Sequence, residues 1–153
     1  MSALRWVPPL ALLALNACVT AGPEFRGAVS ALEQEYGIRA NHFAALAPLV
    51  WVASPAGISE VDAATFESLP TRLHGAPDFV AALVQRAMGR DWKLVVRSSS
   101  RADGEWTLVY ASPSDVAWRL MVFTLDDDTL TVAHVMLDPA HMREWIEDKV
   151  GKT

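Results

Sequence analysis

Asp126-Asp127-Asp128 sets three carboxylates side by side, an oxygen-rich run of the kind that attracts calcium. A calcium loop spaces its oxygens at alternate positions around a glycine and closes on a glutamate, and this run has none of that. It reads as a solvated hairpin tip. Histidine offers the next chemistry, but His134 and His141 stand seven residues apart, His42 and His74 lie elsewhere, and no His-x-x-x-His or His-Glu pair supplies a metal cradle. Surface or partly buried histidines are expected. Ser98-Ser99-Ser100 offers hydroxyl nucleophiles without a Gly-x-Ser-x-Gly elbow, so turn chemistry accounts for the serines. The carboxylates show no spacing that identifies a glycosidase pair, because that separation is set by the fold. No catalytic, cofactor-binding or metal-ligating residue is therefore assigned from sequence.

The thiol of Cys18, the chain's only cysteine, has a clearer context. Arg5 precedes an apolar run from Trp6 to Leu15 that ends at Leu15-Asn16-Ala17-Cys18. A positive charge, an apolar stretch and a small residue before a cut make an export signal. The run is too short to span a bilayer, which needs about 20 apolar residues. Its end resembles the lipobox of bacterial lipoproteins, which implies cleavage before Cys18 and acylation of the thiol. The expected organisation is then a signal over 1–17, a short tether over 18–25 and one domain over 26–150. The membrane is the first expected partner, through the lipid on Cys18. Val19 stands where a retention signal would put Asp, so the outer membrane, facing the periplasm, is the expected address. Val19-Thr20-Ala21 keeps a second reading open, in which cleavage after Ala21 leaves a soluble periplasmic protein.

Removing residues 1–17 from 153 leaves 136, the length of one ordinary domain. With 52% hydrophobic and 20% charged residues the chain is far from a disordered composition. The formal charge of −5 becomes −6 once Arg5 leaves with the signal. Nucleic-acid binding is disfavoured, because Arg86, Arg90, Lys93, Arg97 and Arg101 are scattered among carboxylates rather than clustered.

The elements that must position any site are clearest in the second half. Residues 92–100 lead through the two-residue hairpin signal Asp103-Gly104 into 105–112, Pro113-Ser114-Asp115 marks the next turn, and Trp118–Leu125 and Thr129–Leu137 flank the aspartate run. Four antiparallel strands in a meander are predicted over 92–137. Alternation puts Trp92, Leu94 and Val96 on one face, with Trp106, Leu108, Tyr110 and Met121, Phe123, Leu125 as the apolar faces of the next two strands. Helices are predicted over 77–88, with Phe79, Val80, Leu83, Val84, Ala87 and Met88 on one stripe, and over 139–150, carrying Met142, Trp145 and Ile146. Ala28–Tyr36 reads as helix, Gly37–Ala40 as a short strand, and Ile58–Phe66 as a further strand. Phe43, Leu46, Ala47 and Val50 have helical spacing but straddle Pro48. The fold class is α+β: an antiparallel sheet, the meander plus one or two N-terminal strands, packed by helices on one face with ferredoxin-like character.

The segments running from Trp92 to Tyr110, from Arg119 to Thr124 and from Leu130 to Pro139 resemble the carboxy half of a family of exported bacterial proteins catalogued only as a domain of unknown function. The resemblance covers about residues 31–146 and rests on strand patterns. It implies a short exported domain, often a lipoprotein, in some cases encoded near extracytoplasmic sigma and anti-sigma factors; it transfers no catalytic residue.

Two readings of function follow: a non-enzymatic binding or regulatory lipoprotein that contacts another envelope protein, or a soluble periplasmic module holding a small ligand between helices and sheet. A hydrolase carries less weight. Most tryptophans are expected in the core, with Trp51 the exception because its surroundings are irregular. If helices 77–88 and 139–150 share one sheet face, Arg97, Glu105 and Arg119 are expected to mark the opposite face as an interaction surface.

Overall fold

A computed structural model describes residues 22–43, 54–69, 77–100 and 102–150, apart from the side chains of Ser54, Trp145, Ile146, Lys149 and Val150. Residues 1–21 with Cys18, the residues around Pro48, Trp51, His74 and the side chains of Trp145 and Ile146 lie outside this set.

Pro23 opens helix α1 (Pro23–Tyr36), taking a first-turn position where its missing N–H leaves no bond unmade. The helix starts five residues before Ala28, and Phe25 is buried in the core, so Pro23–Phe25 belong to the domain and not to a tether. Phe25, Ala28, Val29 and Leu32 line one stripe. A two-residue strand β1 (Asn41–His42) follows, displaced from the strand expected at 37–40. After a short 3-10 turn (Ser54–Ala56) come β2 (Ile58–Phe66) and helix α2 (Pro77–Met88). In α2 the buried positions are Pro77, Val80, Val84 and Met88, whereas Phe79, expected inside, is exposed.

The meander forms as expected: β3 (Lys93–Ser99), β4 (Trp106–Pro113), β5 (Trp118–Asp126) and β6 (Thr129–Leu137) pair antiparallel in sequence. Helix α3 (Pro139–Val150) ends the chain's described part. Asp127 and Asp128 make a two-residue turn in which Asp127 holds φ at 52°. The β3–β4 loop is wider than two residues: the Ser100 N–H reaches the Glu105 carbonyl at 2.7 Å and the Ser100 hydroxyl bonds Asp103 at 3.1 Å. Strand β6 pairs with β5 on one side and β2 on the other, giving the order β1-β2-β6-β5-β4-β3 with every pair antiparallel. The α+β class with helices on an antiparallel sheet is the one expected. Its ferredoxin-like character extends to that two-layer packing, while the strand order is its own.

Helices α1 and α2 cover one sheet face, over Phe66, Leu108, Phe123, Leu130 and Val132. Fully burying each such side chain contributes about 1.5–3 kcal/mol. Helix α3 does not join them. Among the described residues it adds nothing to the core and lies beside the 54–56 turn, near Trp118 and Leu137 of the opposite face.

Gly57 fixes that junction. Its φ is 86°, its carbonyl accepts the Asp138 N–H at 2.7 Å, and a Cβ there would meet the Asp138 carbonyl at 2.7 Å and the Met142 nitrogen at 3.1 Å. Both obstacles are backbone, so Gly57→Ala is expected to destabilise by about 2 kcal/mol or more. Gly104, at φ 69°, is expected to cost about 1 kcal/mol on replacement by Val. A shift of the urea midpoint at unchanged m-value measures each.

Candidate functional site

Strand register grades the helix-covered face from apolar to ionisable. Phe66, Leu130, Leu125 and Trp106 lie in one row across four strands, and Ala64, Val132, Phe123 and Leu108 in the next. The third row runs Asp62, His134, Met121, Tyr110, and the fourth Glu60, Met136, Arg119, Ser112. Asp62, His134, Glu60, Arg119 and Ser112 thus stand, polar or charged, where alternation calls for core, and the start of α1 adds Glu24 above them.

Asp62 and His134, distant in sequence, meet across the β2–β6 pair with His134 Nδ1 3.3 Å from Asp62 Oδ2, their side chains 4% and 3% exposed. Trp92 closes on the imidazole edge-on at 6.2 Å. Arg119 donates to Glu24 Oε1 at 2.7 Å and to the Ser112 hydroxyl at 3.0 Å, and its guanidinium lies 5.2 Å from the Trp92 ring. Tyr110 donates to the Ala81 carbonyl of α2 at 3.2 Å, and burial pushes its phenol up. Burial, and then the Asp62 carboxylate, push Glu60 above the usual carboxylate range. Burial alone would raise Glu24 too, but its own backbone amide and Arg119 outweigh it and hold the carboxyl below the ordinary value.

This cluster corrects the expectation for the interaction surface. Arg119 has the same parity as Met121, Phe123 and Leu125, so it faces the helices. Arg97 does too, because a bulge between Leu94 and Val96 reverses the alternation: Leu94 and Arg97 take the helix side, Val96 the other. Arg97 pairs with Asp78 at the start of α2. Glu105 sits at the sheet's end, exposed, its carboxyl raised chiefly by Asp126. Trp51, like Cys18, lies outside the described residues.

The face opposite the helices is apolar rather than charged. Ala63, Ala133, Val122, Val109 and Val96 form one row, and Thr65, Thr131, Thr124, Thr107 and Ser98 a hydroxyl row beside it. Val96 is 48% and Trp118 46% exposed. At one end, Trp118 and Leu137 with Pro139, Met142, Arg143 and Glu147 of α3 line an apolar groove of about 400 Å³. Among the described residues the other histidines do not gather: His42 is exposed beside Phe25, and His141 bonds Asp138 at 2.6 Å in solvent. The Asp126–Asp128 tip is exposed, as a solvated hairpin end should be.

Sequence reading missed the Asp62–His134 pair, which is 72 positions apart. The available signal was Glu60 and Asp62 at inward parity in a strand otherwise inward-apolar at Ala64 and Phe66. No family model, curated protein or solved structure matches the chain.

Arg119→Glu is expected to destabilise by about 2 kcal/mol or more, since it removes two hydrogen bonds and leaves Glu24 facing a carboxylate. Arg97→Glu, exposed, should leave the melting temperature almost unchanged. Glu24, held below 4.5, contributes stability that is present above that pH and lost as pH falls through its folded value. Glu24→Gln should therefore lower the melting temperature at neutral pH, with the difference fading in acid.

Proposed function

We propose that this protein is an exported, lipid-anchored module of the bacterial cell envelope that works by binding another envelope protein through the open face of its sheet. One observation carries the reading: away from the strand ends, where Lys93, Pro113, Trp118 and Asp126 stand, the outward positions on five paired strands are Val, Ala, Leu, Thr and Ser, where an antiparallel sheet facing water ordinarily alternates to charged residues. Among the described residues only α3 approaches this face, and it does so at one end. An apolar surface of that extent supports protein contact. The edge strand β3 supports face docking over edge pairing, because Lys93 and the bulge at Leu94/Val96 blunt its free hydrogen-bonding side.

The lipobox-like Leu15-Asn16-Ala17-Cys18 supports the anchor, and among the described residues no helix is long and apolar enough to cross a membrane. One acyl chain anchors marginally, whereas several hold firmly. Resemblance to the exported family named above belongs to the same proposal. A second reading, a periplasmic small-ligand module, is favoured by the ionisable cluster between α1 and the sheet.

Cys18→Ala should move the protein out of the membrane fraction and abolish palmitate incorporation; an unlabelled wild type with unchanged fractionation would overturn the anchor. Val96→Lys should change stability by no more than about 0.5 kcal/mol, as surface positions do, and Trp118→Ala, whose ring is half-buried beside α3, by about 1 kcal/mol. In crosslinking from the native envelope the pair should reduce partner recovery severalfold. Undiminished recovery would show that the open face is not the docking surface.

A further inference from the structure

Glu60 and Asp62 project from the same face of β2, and His134 stands directly opposite Asp62 on β6. One ligand atom from each of the three lies within 4.8 Å of the others. The group is more than a run of acids, because its third member is an imidazole that is 3% exposed and held against Trp92. Zinc with bonds near 2.1 Å places tetrahedral ligand atoms about 3.4 Å apart. The His134 Nδ1 to Asp62 Oδ2 separation is 3.3 Å, which matches that edge and is longer than the roughly 2.8 Å of a charge-assisted hydrogen bond. Glu60 stands at the half-buried margin with its carboxylate turned toward Asp62.

Charge points the same way. Glu24, Glu60 and Asp62 bring three carboxylates to this layer against one guanidinium, and Arg119 is already committed to Glu24 and Ser112. Two carboxylates crowded together with one imidazole at a largely buried spot repel each other, and a divalent cation between Glu60 and Asp62 would balance that charge. The start of α1 closes over the spot: a Cβ on Gly22 would lie 3.6 Å from Glu24 Oε2 and 3.8 Å from His134 Cε1.

We propose that Glu60, Asp62 and His134 bind one divalent first-row transition metal ion through two carboxylate oxygens and one imidazole nitrogen. A mixed nitrogen and oxygen set of this kind suits zinc, manganese or ferrous iron more than calcium, and three protein ligands leave positions for water or a further ligand. The site is independent of the open sheet face, so each can fail alone.

The test is calorimetric titration of the purified full chain, stripped of metal by a chelator, with zinc chloride. One zinc per chain at micromolar affinity or tighter is expected. Glu60→Gln and Asp62→Asn should each weaken binding by at least about tenfold, since even outer partners of metal sites contribute that much. His141→Ala should leave it unchanged, which separates this site from the exposed Asp138–His141 pair. Melting in chelator controls for folding, and Glu60→Gln should melt no lower than wild type because it removes repulsion with Asp62. Zinc should also raise the wild-type melting temperature, a measurement that needs no variant. Absence of saturable binding, absence of a melting shift, or affinity that survives both substitutions would overturn the proposal.

Discussion

Everything in this fold depends on β6 being paired on both sides. Its register with β5 closes the meander, and its register with β2 brings in a strand from the other end of the domain. Side chains repeat with a period of two, so a slip of one residue at either border would send Val132 and Leu130 to the open face and Thr131 and Ala133 inward. The apolar core under α1 and α2 tolerates no such slip. The same register that protects the core therefore also places His134 against Asp62 and Met136 beside Glu60.

That placement is expensive for a small domain. Hydrophobic burial on the helix-covered face is unbroken in its first two rows, and the last two set Met121 and Tyr110 beside Glu60, Asp62, His134, Arg119 and Ser112. Replacing a buried ion pair with apolar residues is often neutral or stabilising, so stability alone does not explain why the core gives way to charge here. Arg119 shows how the structure manages the cost. It satisfies Glu24 and Ser112 at once and lays its guanidinium over Trp92, which makes it a structural member of the helix–sheet layer.

The two sheet faces differ in what they present. One is sealed by α1 and α2 and holds the ionisable cluster at its end; the other presents ordered rows of valine, alanine and hydroxyl side chains. The Thr107 and Thr124 hydroxyls lie 3.4 Å apart within their row, so part of that surface is internally satisfied and offers little hydrogen bonding to water. Helix α3, tied by Gly57 to the turn before β2, shields only the end of this face near Trp118.

How much of this was legible from sequence varies with the range of the interaction that decides it. Asp103-Gly104, Pro113-Ser114 and the aspartate run mark turns through local backbone chemistry, so the four strands and helices 77–88 and 139–150 could be read directly, as could the solvated tip at Asp126–Asp128. Arg119 was also legible, since it shares parity with Met121, and placing it on the opposite face misread that alternation. Arg97 was not, because the bulge at Val95 that turns it toward α2 leaves no mark in an otherwise regular apolar run. The Asp62–His134 pair and the open Val, Ala and Thr rows were beyond sequence for a physical reason: each exists only through non-local strand pairing, and which strand lies beside which is settled by the whole core closing at once. The sequence by itself determined most of the elements, because turn and cap chemistry is local. Tertiary structure decided which face each charge occupies, because register and not residue type sets what a side chain meets.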